Sequence, residues 1–133
     1  MIEVEGHSLS DSVSSISRAE LSLIKHVMNP SPEVKLIAAG IVFALGTATK
    51  IKPNEDYLQF MKLLGKSAQM MKRMKEFDPS TMDEERAGYL SNYIKVNNIE
   101  GDEVSKKARE CSGGMAKMQR WLLTLCEAKK VKA

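Results

Sequence analysis

The chain has 133 residues and a formal net charge of +3, with hydrophobic residues at 43% and aromatic residues at only 5%. This length suits one compact domain, whose core would consist mainly of aliphatic side chains and some of the nine methionines. The longest apolar run, from Leu36 to Leu45, is shorter than the roughly 20 residues of a membrane-spanning helix. The acidic N-terminus is unlike a secretory signal, so we expect an intracellular protein that does not bind a membrane.

Charge alternates along the chain in blocks. Residues 1–24 carry a net charge of −3, residues 25–75 of +6, residues 76–100 of −4 and residues 101–133 of +4. Two basic blocks that meet on one surface would attract a polyanion, such as nucleic acid, anionic lipid or an acidic protein surface. The alternative is that the blocks are solvated faces of unrelated helices.

The N-terminal part of the chain changes character at residue 13. Residues 1–12 lack helical periodicity, and we expect them to be a disordered lead-in. Residues 13–29 place apolar side chains at intervals of three and four, which predicts the first helix of a coiled coil. Its seam consists of Val13, Ile16, Leu23 and Val27, with Glu20 as an acidic interruption. A second apolar stripe, formed by Leu21, Ile24 and Met28, lies beside this seam.

A second helix is predicted to begin at Ser31. Pro30 and Pro32 lack an amide hydrogen, so the preceding helix must end just before them. Ser31 suits the N-cap position and Pro32 the first helical position. Residues 34–45 are apolar on nearly every face, which predicts the central helix of a bundle, with the single charge of Lys35 at its head.

Shorter helices are predicted between Gly46 and residue 114. Asn54 and Ser67 suit the starts of two of them, and Thr81 begins a capping-box pattern for a third. A methionine cluster, formed by Met70, Met71 and Met74, is expected to fill the core rather than line a groove.

The last segment, residues 115–133, carries a second seam. It consists of Met115, Met118, Leu122 and Leu125. No segment shows the alternation typical of strands, so we predict an all-α fold. A small helical bundle, residues 30–114, would lie at the tip of a short antiparallel coiled coil formed by the two seams.

The sequence contains no motif that is typical of an enzyme active site. His7 and His26 are the only histidines, and neither has a second metal ligand at a suitable spacing. Cys111 and Cys126 form no redox or metal-binding motif, so reduced thiols are the simplest interpretation. No glycine-rich phosphate loop or nucleophile motif is present. We therefore expect neither an enzyme nor a bound metal or cofactor.

Three stretches, in order, resemble the microtubule-binding domain at the stalk tip of dynein heavy chains. "RAELSLIKHVMNPSPEVKL" (18–36) is similar to the proline break and the helix after it. "EFDPSTMDEERAGYLSNYIKVNN" (76–98) resembles the family's later turn and helix, and "VSKKARECSGGMAKM" (104–118) the motif that leads into the returning stalk helix. The resemblance covers about residues 14–133; its departures include Ser112-Gly113-Gly114 in place of a Cys-Gly-Pro-like turn.

The resemblance implies a function. A domain of this family attaches a motor to microtubules through basic residues, and its affinity is set by the register of the stalk coiled coil. The matching basic positions are Lys25, Lys35, Lys66 and Lys107, with Lys117 directed to the stalk. The implied partner is α/β-tubulin in microtubules, bound by a monomeric fragment in the cytoplasm and cytoskeleton. We expect an axonemal form, in a cilium or flagellum, although the chain has no long insertion of the kind found in some flagellar dyneins.

Two other classes of function are compatible with the sequence. One is a basic helical module that binds nucleic acid, although its basic segments lack the aromatic residues such a module would use, so we expect no nucleic-acid partner. The other is a helical adaptor that holds a partner helix in a methionine-rich groove.

Overall fold

The computed structural model describes residues 9–27, 29–46 and 50–132. In chain order these residues form α1 (Leu9–Ser14), α2 (Arg18–Lys25), α3 (Pro32–Leu45), α4 (Pro53–Leu64), α5 (Ser67–Lys75), a 3-10 turn (Pro79–Thr81), α6 (Glu84–Val96), α7 (Asp102–Cys111) and α8 (Gly113–Lys132). No strand occurs in these ranges, so the predicted all-α fold is confirmed.

Helix α3 lies at the centre of the bundle. It packs against α4, α6, α7 and α8, and most of its side chains are buried. Ser31 caps its N-terminus, since the Ser31 hydroxyl accepts a hydrogen bond from the Val34 amide at 3.3 Å. Its C-terminus has no basic residue of its own. Instead Arg73 donates to the Leu45 carbonyl and Arg86 to the Gly46 carbonyl, and these two cations suit the negative end of the helix dipole.

The side chains of α8 complete the core. Trp121 is fully buried, and its indole N–H donates to the Met74 carbonyl at 3.0 Å. The cluster of Met70, Met71 and Met74 is buried among the core residues, as the sequence predicted. These methionines therefore fill the bundle, as unbranched, polarizable side chains do well.

The first helical segment differs from the sequence-based expectation. Residues 9–12 belong to α1, with Leu9 only 7% exposed, where we predicted a disordered lead-in. The reason is packing, because α1 lies against α5 and α8, and the sequence pattern gave no sign of these distant partners. Residues 1–8 lie outside the described part of the chain.

Residues 13–29 do not form one continuous coiled-coil helix. The helix stops at Ser14 and restarts at Arg18, because Ser17 forms a capping box with Glu20. The Ser17 hydroxyl accepts from the Glu20 amide at 3.1 Å, and the Glu20 carboxylate accepts from the Ser17 amide at 2.8 Å. This reciprocal pair satisfies two backbone donors and begins a new helix.

The residues of the predicted first seam also differ in how far they are buried. Val13 is buried and Ile16 and Val27 are half-buried, but Leu23 is 57% exposed. The buried side chains of α2 are Leu21 and Ile24, both from the second stripe. Met28, the third residue of that stripe, lies outside the described residues.

The second seam is buried along its whole length. Met115, Met118, Leu122 and Leu125 are each 0% exposed. Helix α8 packs against α1, α2, α3, α6 and α7, so this stripe contributes to the core of the bundle. A two-helix coiled coil would instead leave α8 with one partner helix.

Two helix starts lie close to their predicted positions. Asp83, rather than Thr81, caps α6, because its carboxylate accepts from the Arg86 amide at 2.8 Å. Helix α4 begins at Pro53, which places Asn54 inside the first turn rather than at the cap. The free amide side chain of Asn54 is therefore available to another element.

Candidate functional site

Lys35 lies where the sequence predicted it, in the first turn of α3. Its side chain is half-buried, and Nζ donates to the Asn54 side-chain oxygen at 3.3 Å. This contact joins the first turns of α3 and α4. In residues 9–27, 29–46 and 50–132 no carboxylate pairs with Lys35. Its positive charge is therefore available to a partner outside the chain.

Lys107 lies on α7, which packs against α3. Its Nζ is 3.7 Å from a Glu110 carboxylate oxygen, and both side chains are more than a third exposed. An exposed pair of this kind contributes about 0 to 1 kcal/mol and breaks readily. Lys107 can therefore exchange Glu110 for an acidic group on another molecule.

Two titratable groups, Tyr57 on α4 and Cys111 on α7, have raised pKa values. Burial raises the pKa of the Tyr57 phenol, and the nearby Cys111 adds to this effect. Tyr57 is one turn after Asn54, and Cys111 is the last residue of α7.

Lys25 ends α2 and is exposed. It precedes the proline segment that leads into α3, and Leu23 on the same helix is also exposed. Helix α2 packs against α4 and α8, so Lys25 is attached to the same side of the bundle as α4.

Lys66 lies apart from the other predicted contact residues. It follows the end of α4, whereas Lys35 bonds to Asn54 at the start of that helix. The 12 residues of α4 span about 18 Å. The structure therefore packs the helix of Lys35 against the helix of Lys107, and it places Lys66 at the end of α4 that is remote from Asn54.

A polar junction between α1, α2 and α8 was missed by the sequence patterns. Lys117 Nζ donates to the two carboxylate oxygens of Glu20 at 3.1 and 3.2 Å and to the Ser15 carbonyl at 3.0 Å. The Ser112 hydroxyl donates to the Glu20 carbonyl at 2.8 Å and accepts from the Gly114 amide at 3.0 Å. We call these contacts the Glu20 junction.

The glycines at the start of α8 make room for this junction. A Cβ on Gly114 would lie 3.1 Å from the Glu20 Cβ and 3.2 Å from the Ile16 Cγ2. The pair Gly113-Gly114, which departs from the family's turn, is thus suited to the close approach of α2. The sequence showed Glu20 as an acid within the first seam and Lys117 as a lysine in the last helix. That these two side chains form an ion pair could be seen only in the folded structure.

A large cleft is lined by Lys117 but by none of Lys25, Lys35, Lys66 and Lys107. It has a volume of about 900 Å3, lies between α1, α7 and α8, and is lined by side chains of both charge signs. No group of three metal-ligating side chains occurs in the described ranges, and no helix there is long and apolar enough to cross a bilayer. Because acidic and basic side chains both line this cleft, its charge indicates no particular class of ligand.

Comparison of the chain with known protein families, curated proteins and solved structures finds no match.

Proposed function

We propose that this chain is a microtubule-binding domain of a dynein heavy chain, in which Lys35 and Lys107 contact an acidic tubulin surface. The observation that carries the proposal is the pairing of α3 with α7. Each helix presents a lysine that no buried acid neutralises, and the sequence resemblance assigns track contact to these same two helices. Lys25 would add charge at the edge of this surface.

The connection between α2 and α3 supports a route for control. Only residues 26–31 separate the end of α2 from the first turn of α3. A displacement of α2 would therefore act directly on the helix that carries Lys35. We propose that the position of α2 sets microtubule affinity through this connection, with the Glu20 junction holding α2 on α8 in the present arrangement.

Cosedimentation with microtubules tests the proposal. Lys35→Glu and Lys107→Glu should each weaken binding by about tenfold or more, which corresponds to about 1.4 kcal/mol. Helical circular dichroism and the melting temperature should hardly change, because surface substitutions usually alter stability by about 0.5 kcal/mol or less.

Lys72→Glu is the matched control. Lys72 is exposed on α5, which packs against α1 and α4, and the substitution changes the net charge by the same amount. Its binding should stay within about twofold of the parent. Equal losses for Lys35→Glu and Lys72→Glu would contradict a localised contact surface, and failure of the parent to pellet with microtubules would refute the function.

A further inference from the structure

An open groove between α4 and α5 is lined by basic side chains and by no acidic one. It has a volume of about 540 Å3. Its walls include Gln59, Lys62, Leu63, Lys66, Gln69 and Arg73. The side chains of Lys62, Lys66 and Arg73 are exposed, whereas Met70, below them, is only 1% exposed. The groove therefore combines cations at its rim with an apolar base.

Nothing in the groove neutralises this charge. No carboxylate is among the lining residues, and residues 57–75 contain five bases and no acid. Lys62 and Lys66 form no ion pair with any residue that the structure describes, whereas Lys52, Lys107 and Lys117 each have a glutamate partner. Arg73 donates to the Leu45 carbonyl, which leaves its positive charge in place.

We propose that this groove binds an acidic peptide segment in an extended conformation. Lysine and arginine at the rim would pair with carboxylates, while the amides of Gln59 and Gln69 can both donate and accept hydrogen bonds with a peptide backbone. Leu63, which is half-buried, offers an apolar surface to the intervening side chains. The inference goes beyond the proposed function, since it requires no microtubule.

An acidic peptide fits the groove better than nucleic acid does. Single-stranded nucleic acid is usually held by aromatic side chains on which the bases stack. The aromatic residues of α4, Tyr57 and Phe60, are buried on the opposite face, packed on each other with ring centroids 5.9 Å apart. No aromatic ring lines the groove. The surface therefore offers charge and amide hydrogen bonds without a stacking platform.

Fluorescence anisotropy with a labelled Glu-Gly repeat peptide tests the proposal on the full chain. A peptide of about ten residues spans about 33 Å when extended. The parent should bind it at low salt, and the double variant Lys62→Glu/Lys66→Glu should bind at least about tenfold more weakly. The control Lys72→Glu/Lys75→Glu changes the net charge equally on exposed α5 side chains outside the groove and should lose less than about threefold.

Each other outcome of this experiment overturns the proposal. Equal losses in both double variants would mean that the chain attracts the peptide only through its overall charge. Tighter binding of a single-stranded oligonucleotide of the same length and charge would assign the groove to nucleic acid. Absence of peptide binding by the parent would refute the groove as a site, and none of these results depends on whether the chain binds microtubules.

Discussion

Two tyrosines, the buried Tyr57 and the half-buried Tyr93, differ in what their hydroxyl groups contact. The Tyr93 hydroxyl donates to the Leu36 carbonyl at 2.7 Å, which ties α6 to the first half of α3. The Tyr57 hydroxyl is buried without a hydrogen-bond partner among the described residues. Burial raises the pKa of both phenols, so both remain neutral near pH 7. A buried hydroxyl without a partner costs about 1 to 3 kcal/mol, and a satisfied one contributes about 1 kcal/mol.

Replacing each tyrosine by phenylalanine should therefore change stability in opposite directions. We expect Tyr57→Phe to raise the free energy of unfolding by up to about 1 kcal/mol, and Tyr93→Phe to lower it by about 1 kcal/mol. Urea denaturation followed by circular dichroism measures both values on the same scale. A loss in Tyr57→Phe as large as that in Tyr93→Phe would show that the Tyr57 hydroxyl has a stabilising partner.

Glu20 predicts a dependence of stability on pH. The hydrogen bond from the Ser17 amide lowers the pKa of the Glu20 carboxyl, and Lys117 lowers it further against the opposing effect of burial. Because the folded pKa lies below the unfolded value, this stabilisation is present above the unfolded pKa of about 4.3. It is lost as pH falls through the folded pKa.

Glu20→Gln should be less stable than the parent at pH 7, by no more than about 1 kcal/mol because water screens this partly exposed pair. The difference between the two proteins should shrink as the pH is lowered through the acidic range. Thermal unfolding of both proteins from pH 7 to pH 3 checks this. A difference that stays constant with pH would mean that the Glu20 charge does not contribute.

The sequence placed some of the site residues correctly and could not place others. Lys35 was predictable because Ser31 and Pro32 fix the start of its helix through local chemistry alone. The ion pair of Lys117 with Glu20 was not, because its partners are 97 residues apart in the chain. The exposed position of Leu23 was also unpredictable, because two apolar stripes compete on one helix and only the packed partners decide between them.

At the scale of the elements, α3 shows how closely the central helices approach. Gly40 lies in the middle of α3, and a Cβ there would be 2.8 Å from Leu122 Cδ1 on α8. Leu122 is fully buried, so its side chain has little room to move. Gly88 is the counterpart on α6, where a Cβ would meet no atom within 4 Å. Gly40 permits the close contact between α3 and α8, whereas Gly88 only lowers the stability of α6.

Alanine substitutions should separate these two roles. Gly88→Ala should raise the free energy of unfolding by about 0.5 to 1 kcal/mol through helix propensity. Gly40→Ala gains the same propensity, but the overpacking against Leu122 costs about 1 to 3 kcal/mol, so we expect net destabilisation. Chemical denaturation of both variants measures the contrast. Stabilisation by Gly40→Ala would show that α8 moves away from α3 at little cost.

For the whole molecule, periodicity predicted the helices but not how they pack. The apolar faces of α3 and α8 indicated buried helices, and the all-α fold followed. The coiled coil was expected because heptad spacing alone does not distinguish a two-helix seam from one face of a bundle helix. Helix α1 was missed because its six residues are too few for a periodic pattern, and its burial depends on α5 and α8.

If the chain binds microtubules as proposed, the basic charge of its surface predicts a strong salt dependence of that binding. Exposed charges are screened over about 8 Å at physiological ionic strength, and over shorter distances at higher salt. Affinity should therefore fall markedly between about 50 and 200 mM salt if lysines lead the contact, as for other charge-led partners. Cosedimentation with microtubules across this range measures how steeply the affinity falls with salt concentration. A flat profile would indicate an apolar contact, for which the exposed Leu23 and Leu58 would be the candidates.

The Glu20 junction has a consequence for the order of assembly during synthesis. It joins residues separated by 92 positions, and α1 and α2 find most of their neighbours in α8, α5 and α4. Helices α1 and α2 are synthesised before α8, so their docking is complete only after α8 has been made. Closing so long a loop costs little more entropy than closing a shorter one, but such distant contacts form slowly. We expect the nascent chain to leave part of the apolar face of α2, formed by Leu21 and Ile24, uncovered until α8 is complete.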